Sequence, residues 1–248
     1  MSALLAADRL TKTYPGGVTA LREVTLEVER GETLVLIGES GCGKTTLLRM
    51  FNRMLEPTSG EVRIEGRPAR ELDPIRLRRH TGYVQQEGGL IPHWTVARNV
   101  GLVPRLLGWD RARTAESIDR LLDLVGLPRS EFGDRHPAML SGGERQRVAF
   151  ARSLAADPAV VLLDEPFGAL DALTRMDLQG EFLSLKGKLG KTMVLVTHDL
   201  DEAFHLGDRI AVLKSGAVLQ VASPGELERA PAPGYVTELV ERRREFAR

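Results

Sequence analysis

LVLIGESGCGKTT, Leu34 to Thr46, is an apolar run that breaks into glycines and then turns helical. Thr33 to Ile37 reads as a short strand, apolar as a strand buried on both faces must be. From Lys44 the pattern runs at helical spacing through Thr45, Leu47, Leu48, Phe51 and Met54, predicting a helix that stops before Pro57. Between the two, Gly38-Glu39-Ser40-Gly41-Cys42-Gly43-Lys44-Thr45 fits G-x-x-x-x-G-K-[ST] at every position. Glycines let the backbone turn its amides onto a phosphate, and the helix adds its positive end. Lys44 is expected to reach the β- and γ-phosphates of a nucleotide and the Thr45 hydroxyl to bind Mg2+, with Thr46 closing the loop's binding set. A chance glycine turn is the competing reading, and the strand before and helix after oppose it.

A second phosphate-binding helix start lies further on. LSGGERQRV, Leu140 to Val148, opens a helix with Ser141-Gly142-Gly143, presenting free amides and a hydroxyl at a positive dipole end. Just downstream, Val160-Val161-Leu162-Leu163-Asp164-Glu165 carries two carboxylates to the C-terminal end of a buried strand, where α/β sheets place ligands. Asp164 is expected to hold Mg2+ through water and Glu165 to polarise an attacking water as general base. Acids at a strand end are common in turns, and the phosphate loop is what gives this pair meaning. Thr197-His198-Asp199 ends the next strand, Met193 to Thr197; standing alone, such a histidine is an ordinary surface residue.

Two phosphate-binding starts are both satisfied if two copies meet head to tail, each closing the other's nucleotide site. In this the chain resembles, over nearly its whole length, the ATPase subunits of ABC transporters. The resemblance implies an α/β fold: a P-loop (RecA-like) core with an antiparallel β subdomain and an inserted helical subdomain. It implies ATP and Mg2+ as ligands, bound by Gly38, Glu39, Ser40, Gly41, Cys42, Gly43, Lys44, Thr45 and Thr46, with Tyr14 stacked on adenine. Ser141, Gly142 and Gly143 would bind the γ-phosphate on the opposite subunit. Gly168-Ala169-Leu170-Asp171 would cross the dimer interface, while Asp171 also suits the N-cap of the next helix. His198 would contact the γ-phosphate beside Glu165. Gln86 is assigned to Mg2+ or the attacking water by its distance from Leu90-Ile91-Pro92-His93, with Gln85 adjacent and the register open by one residue. Lys44, Gln86, Glu165 and His198 then form the catalytic set, and Thr45, Gln86 and Asp164 the metal set. Glu39 departs from the family, where proline is frequent, and a carboxylate beside phosphate is tolerable if it points outward.

Coarse patterning fills in the rest. Leu4 to Tyr14 and Val18 to Glu29 read as strands joined by Pro15-Gly16-Gly17, and Glu61 to Glu65 as another. Thr95 to Val125 has helical spacing, broken at Pro104 and Gly108. One helix is expected over Gly142 to Ala155, a strand over Ala159 to Leu163, and helices over 172–189 and 199–206. Strands are expected over Thr192 to Thr197 and around Ile210 and Val218. The expectation is a single nucleotide-binding domain over 1–248, with a helical insert near 91–156 and a C-terminal tail over 223–248.

Composition excludes several classes. Lys plus Arg and Asp plus Glu are both 34, so no overall field favours nucleic acid. A single cysteine, Cys42, rules out an internal disulfide or a cysteine-built zinc site. No apolar run reaches the roughly 18 residues of a spanning helix, and the start lacks a signal-peptide layout. Any membrane role is therefore expected through a partner: a peripheral chain on the cytoplasmic face, held by integral-membrane permease subunits and served by an extracytoplasmic solute-binding protein.

Asn52 to Gly60, Gly82 to Gln86, Leu90 to Thr95, Pro166 to Asp171 and Thr197 to Ala203 look like the importer branch for osmoprotectants. That branch takes up quaternary amines such as glycine betaine, choline and carnitine. Many of its members carry tandem regulatory domains after the core; the sequence ends at Arg248, so sensing through such domains is not expected. An importer of amino acids or another small solute is the nearest alternative, and a cytoplasmic non-transport ABC ATPase the alternative of another class. The permease is expected to dock at Gln86 to Leu107, where Trp94, Val96, Val100 and Leu102 supply apolar surface, although some of these belong to the insert's core.

Overall fold

A computed structural model describes residues 3–86, 88–168 and 170–246, without the side chain of Phe246. The chain divides into two compact units, 1–74 with 190–248, and 75–189.

The first unit contains two sheets. An antiparallel sheet runs in the order β2-β1-β4-β5, from β1 (Leu5–Thr13), β2 (Thr19–Val28), β4 (Ser59–Ile64) and β5 (Arg67–Pro68). The other strands run β10-β9-β3-β8, from β3 (Thr33–Gly38), β8 (Thr192–Val196), β9 (Arg209–Lys214) and β10 (Ala217–Ala222). β3 lies parallel to both β8 and β9, with Leu36 opposite Val196 on one side and Ala211 on the other. Hydrogen-bonded on both edges, β3 must be apolar on both faces, and Leu34, Val35 and Leu36 are fully buried. α1 (Lys44–Met50) follows the phosphate loop, and α9 (Leu200–Leu206), α10 (Pro224–Arg229) and α11 (Tyr235–Phe246) complete the unit.

The second unit pairs β6 (Thr81–Val84) in parallel with β7 (Val160–Asp164). Its helices are α2 (Pro74–Arg79), α3 (Val96–Val100), α4 (Leu102–Leu106), α5 (Arg111–Leu124), α6 (Arg129–Phe132), α7 (Gly142–Leu154) and α8 (Ala172–Leu189). Every residue of β7 is buried. Phe182 of α8 meets Phe150 of α7 at a ring-centroid distance of 5.6 Å and Phe167 at 6.0 Å. Arg147 and Glu181 tie the same two helices with a 2.6 Å ion pair.

Most predicted elements lie within a residue or two of their expected bounds, with instructive exceptions. α1 ends at Met50, four residues before the expected Met54. The Asn52 carboxamide accepts from the Met54 amide at 3.1 Å and Arg53 takes φ 57°, a local turn that competes with the helix. Pro104 does not break its helix but lies inside α4, in the first turn, where an N–H would have no helical partner. The breaks fall at Gly101 and at Gly108, the latter with φ 75°. The expected strand Glu61 to Glu65 starts at Ser59 and stops at Ile64, because Glu65 turns with φ 51°.

Candidate functional site

In the first unit the phosphate loop is gripped by backbone. Gly38 takes φ 149°, and a Cβ there would lie 2.1 Å from the carbonyl oxygen of Leu213, so only glycine fits. The Gly216 amide donates to the Cys42 carbonyl at 3.2 Å from the β9–β10 turn. Gly43 stands at the N-cap of α1, which has no side-chain cap and no acid in its first turn, so the helix start is left for an anion. Lys44 is buried, and its ammonium donates to the carbonyls of Gly38 at 2.7 Å and Glu39 at 3.0 Å. Among the described residues no carboxylate pairs with it. Glu39, Ser40 and Gly41 are exposed, so the Glu39 carboxylate points outward. Cys42 is buried, and that burial pushes its thiol pKa up against the lowering field of Lys44.

Thr45 and Thr46 are half-buried in the first turn of α1, and the Tyr14 hydroxyl lies 3.3 Å from the Thr46 hydroxyl oxygen. His198 is exposed and fixed from both flanks. The Thr197 hydroxyl donates to the buried Glu202 carboxylate at 2.8 Å and accepts from the Asp199 amide at 3.0 Å. Asp199 in turn caps α9 by accepting from the Glu202 amide at 3.1 Å.

In the second unit Asp164 is buried at the end of β7 and accepts a hydrogen bond from the Tyr83 hydroxyl at 3.3 Å. Glu165 takes φ 46°, a left-handed conformation costly for a non-glycine residue. The strain is held by Pro166 and Phe167, both buried, the latter packed edge-on against Phe182. The Glu165 carboxylate accepts a hydrogen bond from Gln86 Nε2 at 3.1 Å. The Gln85 carboxamide instead lies over Gly89, so of the two adjacent glutamines Gln86 is the one within hydrogen-bond distance of Glu165.

The second helix start is built as a capping box. Ser141 Oγ accepts from the Glu144 amide at 3.2 Å, and the Glu144 carboxylate accepts from the Ser141 amide at 2.6 Å. Ser141 is exposed, Gly142 half-buried and Gly143 buried; a Cβ on Gly143 would meet Thr174 at 2.7 Å. Asp171 is exposed and accepts from the Thr174 amide at 3.1 Å, which caps α8; the Thr174 hydroxyl and amide hold its carboxyl pKa below the ordinary value. Ala169 lies outside the described residues.

Sequence patterning missed three side chains that position these groups. Tyr83 steadies Asp164. Asn99, fully buried, accepts from the Ile91 amide at 2.8 Å and donates to the carbonyls of Ile91, Trp94 and Thr95 at 3.1, 3.2 and 3.1 Å. Arg152 donates to the carbonyls of Gly89 and Gly88 at 2.8 and 2.9 Å, and burial lowers its pKa. Of the apolar residues expected to face a permease, Val96 and Val100 are fully buried core. Trp94 and Leu102 are half-buried, with the Arg98 guanidinium 4.1 Å from the Trp94 ring, and Leu106 is exposed. Among the described residues no helix is long and apolar enough to cross a membrane.

A glycine phosphate loop leading from the C-terminal end of a parallel interior strand into a helix defines a P-loop nucleotide-binding protein. The sequence profile of the ABC transporter family matches residues 21–168, more than half of the chain, and the chain belongs to that family. It is 47% identical over 241 residues to the glycine betaine/carnitine/choline transport ATP-binding protein OpuCA of Bacillus subtilis, covering 97% of this chain and 63% of that protein. It is 48% identical over 241 residues to the osmoprotectant import ATP-binding protein OsmV of Salmonella typhimurium, covering 96% and 63%. The chain thus spans about three fifths of the length of these relatives. Among solved structures, the dimeric post-hydrolysis state of the ATP-binding cassette MJ0796 bound to ADP and Pi matches with TM-score 0.78 and 34% identity, over 89% of this chain and 98% of that one.

Proposed function

We propose that the chain is the ATP-binding and ATP-hydrolysing subunit of an importer, and that it works as a head-to-tail dimer on the cytoplasmic face of the membrane. The observation that carries this reading is Lys44. A buried ammonium held by the loop's own Gly38 and Glu39 carbonyls and Cys42 sulfur, with no carboxylate partner among the described residues and with no cap on the helix start, is matched to a polyphosphate rather than to any acid of the chain.

In this reading the loop amides and Lys44 hold the triphosphate, Tyr14 supports the adenine, and Glu165 takes the proton of the attacking water while Gln86 orients its carboxylate. His198 senses the γ-phosphate. Ser141, Gly142 and Gly143 of the second copy close over that phosphate, with Asp171 at the dimer interface. Closure follows from differential binding, since ATP touches both copies only in the closed state, and loss of the γ-phosphate reopens them. Thr45 and Asp164 suit Mg2+. Among the described residues no three His, Cys, Asp or Glu side chains cluster, so the remaining ligands would be phosphate oxygens and water, the usual manner of binding Mg2+. The ion, when bound, neutralises charge on the phosphates.

The relatives' names support a quaternary amine such as betaine, carnitine or choline as cargo, delivered by an extracytoplasmic binding protein to permease subunits that dock near Trp94, Leu102 and Leu106. Replacing Glu165 by Gln is expected to cut hydrolysis at least about 100-fold and to trap an ATP-bound dimer visible by light scattering. Turnover at the parental rate would remove Glu165 from the base role. Uptake assays with the co-purified permease should show choline or betaine transport; transport of amino acids alone would reassign the cargo.

A further inference from the structure

The exposed limb of the phosphate loop has almost no packing of its own: Glu39, Ser40 and Gly41 are all exposed. What fixes it must lie behind. Besides the Lys44 ammonium on the Gly38 and Glu39 carbonyls, the near contacts are backbone, from Leu213 against Gly38 and from Gly216 to Cys42, so the end of β9 and the turn after it carry the loop. β9 ends at Lys214, whose ammonium sits 4.3 Å from the ring centroid of Tyr235, the first residue of α11. Burial raises the pKa of the Tyr235 phenol, and the fields of Glu39 and Cys42 add to the rise.

α11 is itself anchored in three places away from the loop. Val236 and Val240 are buried. Arg243 binds Asp201 at 2.8 Å and Glu228 at 2.6 Å, with its guanidinium 4.2 Å from the Phe204 ring, so the helix is tied to α9 immediately after His198. The stretch leading into α11 is fixed by the Ala232 amide on Gln220 at 2.7 Å and by Gln220 on the Ala230 carbonyl at 3.0 Å.

We propose that α11 is a brace for the phosphate loop, with Tyr235 and Lys214 as positioning residues that hold the Gly38–Cys42 limb ready for nucleotide. The inference rests on the reading that this loop binds nucleotide. A loop already ordered loses less conformational freedom on binding, so release of the brace weakens affinity without touching the chemical step. Ring and cation do the bracing through a partly desolvated cation–π contact, and the hydroxyl contributes less.

The test uses the full chain with Tyr235→Ala, Tyr235→Phe and Arg243→Ala, the last releasing the far end of the helix. Three quantities are read: KM and kcat for ATP, the rate of Cys42 alkylation by iodoacetamide without nucleotide, and the thermal midpoint. Tyr235→Ala is expected to raise KM about tenfold with kcat within about twofold, and to speed alkylation of the buried thiol several-fold. Tyr235→Phe should stay within about twofold of the parent on both counts. Arg243→Ala should move both in the direction of Tyr235→Ala, less far. Parental KM and alkylation in Tyr235→Ala overturn the brace, and so does a fall in kcat at unchanged KM. If Tyr235→Ala does not fold, Arg243→Ala decides by the same two signs. A parental chain that binds no ATP refutes the nucleotide reading instead, and the alkylation rates still decide the brace.

Discussion

The phosphate loop and the Gln86–Trp94 segment both carry residues assigned to nucleotide chemistry, yet they are held in opposite ways. The phosphate loop is held mainly by backbone: β3 is bonded to strands on both edges, Leu213 presses on Gly38, and the Gly216 amide bonds Cys42, with the Lys44 ammonium adding two bonds to loop carbonyls. The stretch from Gly88 to Trp94 is held by side chains, Asn99 and Arg152, reaching carbonyls and an amide that no strand partner satisfies. Backbone grip is released only by parting strands. A side-chain pin is released by a rotamer change. The first arrangement suits a fixed platform for phosphates, the second a segment that can shift without parting strands.

The largest expected effect breaks the platform. Gly38→Ala would put a methyl 2.1 Å from the Leu213 oxygen at a φ that side chains avoid. It should cost about 3 kcal/mol or more in stability and over about 100-fold in nucleotide affinity, measured by urea unfolding and titration calorimetry. Near-parental affinity would show that the loop can shift as freely as the segment it is contrasted with.

Asn99→Leu keeps the volume of a fully buried side chain but strips four hydrogen bonds from the segment. The Ile91 amide and the Trp94 carbonyl lose their partner, while the Ile91 and Thr95 carbonyls keep only the backbone amides of Trp94 and Asn99, and the loss should cost about 2–4 kcal/mol. Much of that should be local: amide exchange across residues 88–95 should quicken about 30-fold or more while the phosphate-loop amides keep their parental rates. Uniform acceleration in both regions would mean that Asn99 supports the whole fold rather than one segment.

This difference in fastening also decides what the sequence made legible. Gly38 to Thr45 could be read because backbone-phosphate geometry demands particular residue types at consecutive positions. The same holds for Ser141-Gly142-Gly143 and for the apolar run that ends in Asp164 and Glu165. Tyr83, Asn99, Arg152 and Tyr235 were invisible because each acts across a tertiary contact that no local spacing encodes. Asn99 left one faint signal, a polar residue on the face shared with Val96 and Val100, both core. The early end of α1 was hidden for a related reason: an Asn52 side-chain turn overrides an apolar pattern that continues to Met54.

Gln86 and Gln85 sharpen the contrast at the level of a single step. Gln86 reaches Glu165 at 3.1 Å, whereas Gln85 faces Gly89. Gln86→Ala should lower kcat about tenfold at little change in KM, as loss of one orienting hydrogen bond would. Gln85→Ala should stay within about twofold. Equal losses would dissolve the distinction between the two positions.

The smallest expected effect concerns the second pin. Arg152 spreads one guanidinium over the carbonyls of Gly88 and Gly89, and burial lowers its pKa. Lysine at this position offers a point charge on a stem that reaches one carbonyl at a time. Arg152→Lys should therefore cost about 1 kcal/mol, less than Asn99→Leu, and raise exchange at residues 88–90 without affecting 91–95. Arg152→Gln, which removes the charge as well as the fork, should cost more than lysine while leaving the Asn99 contacts in place. If the two variants loosened residues 88–95 as one block, the pins would act as a single latch and not as two independent holds.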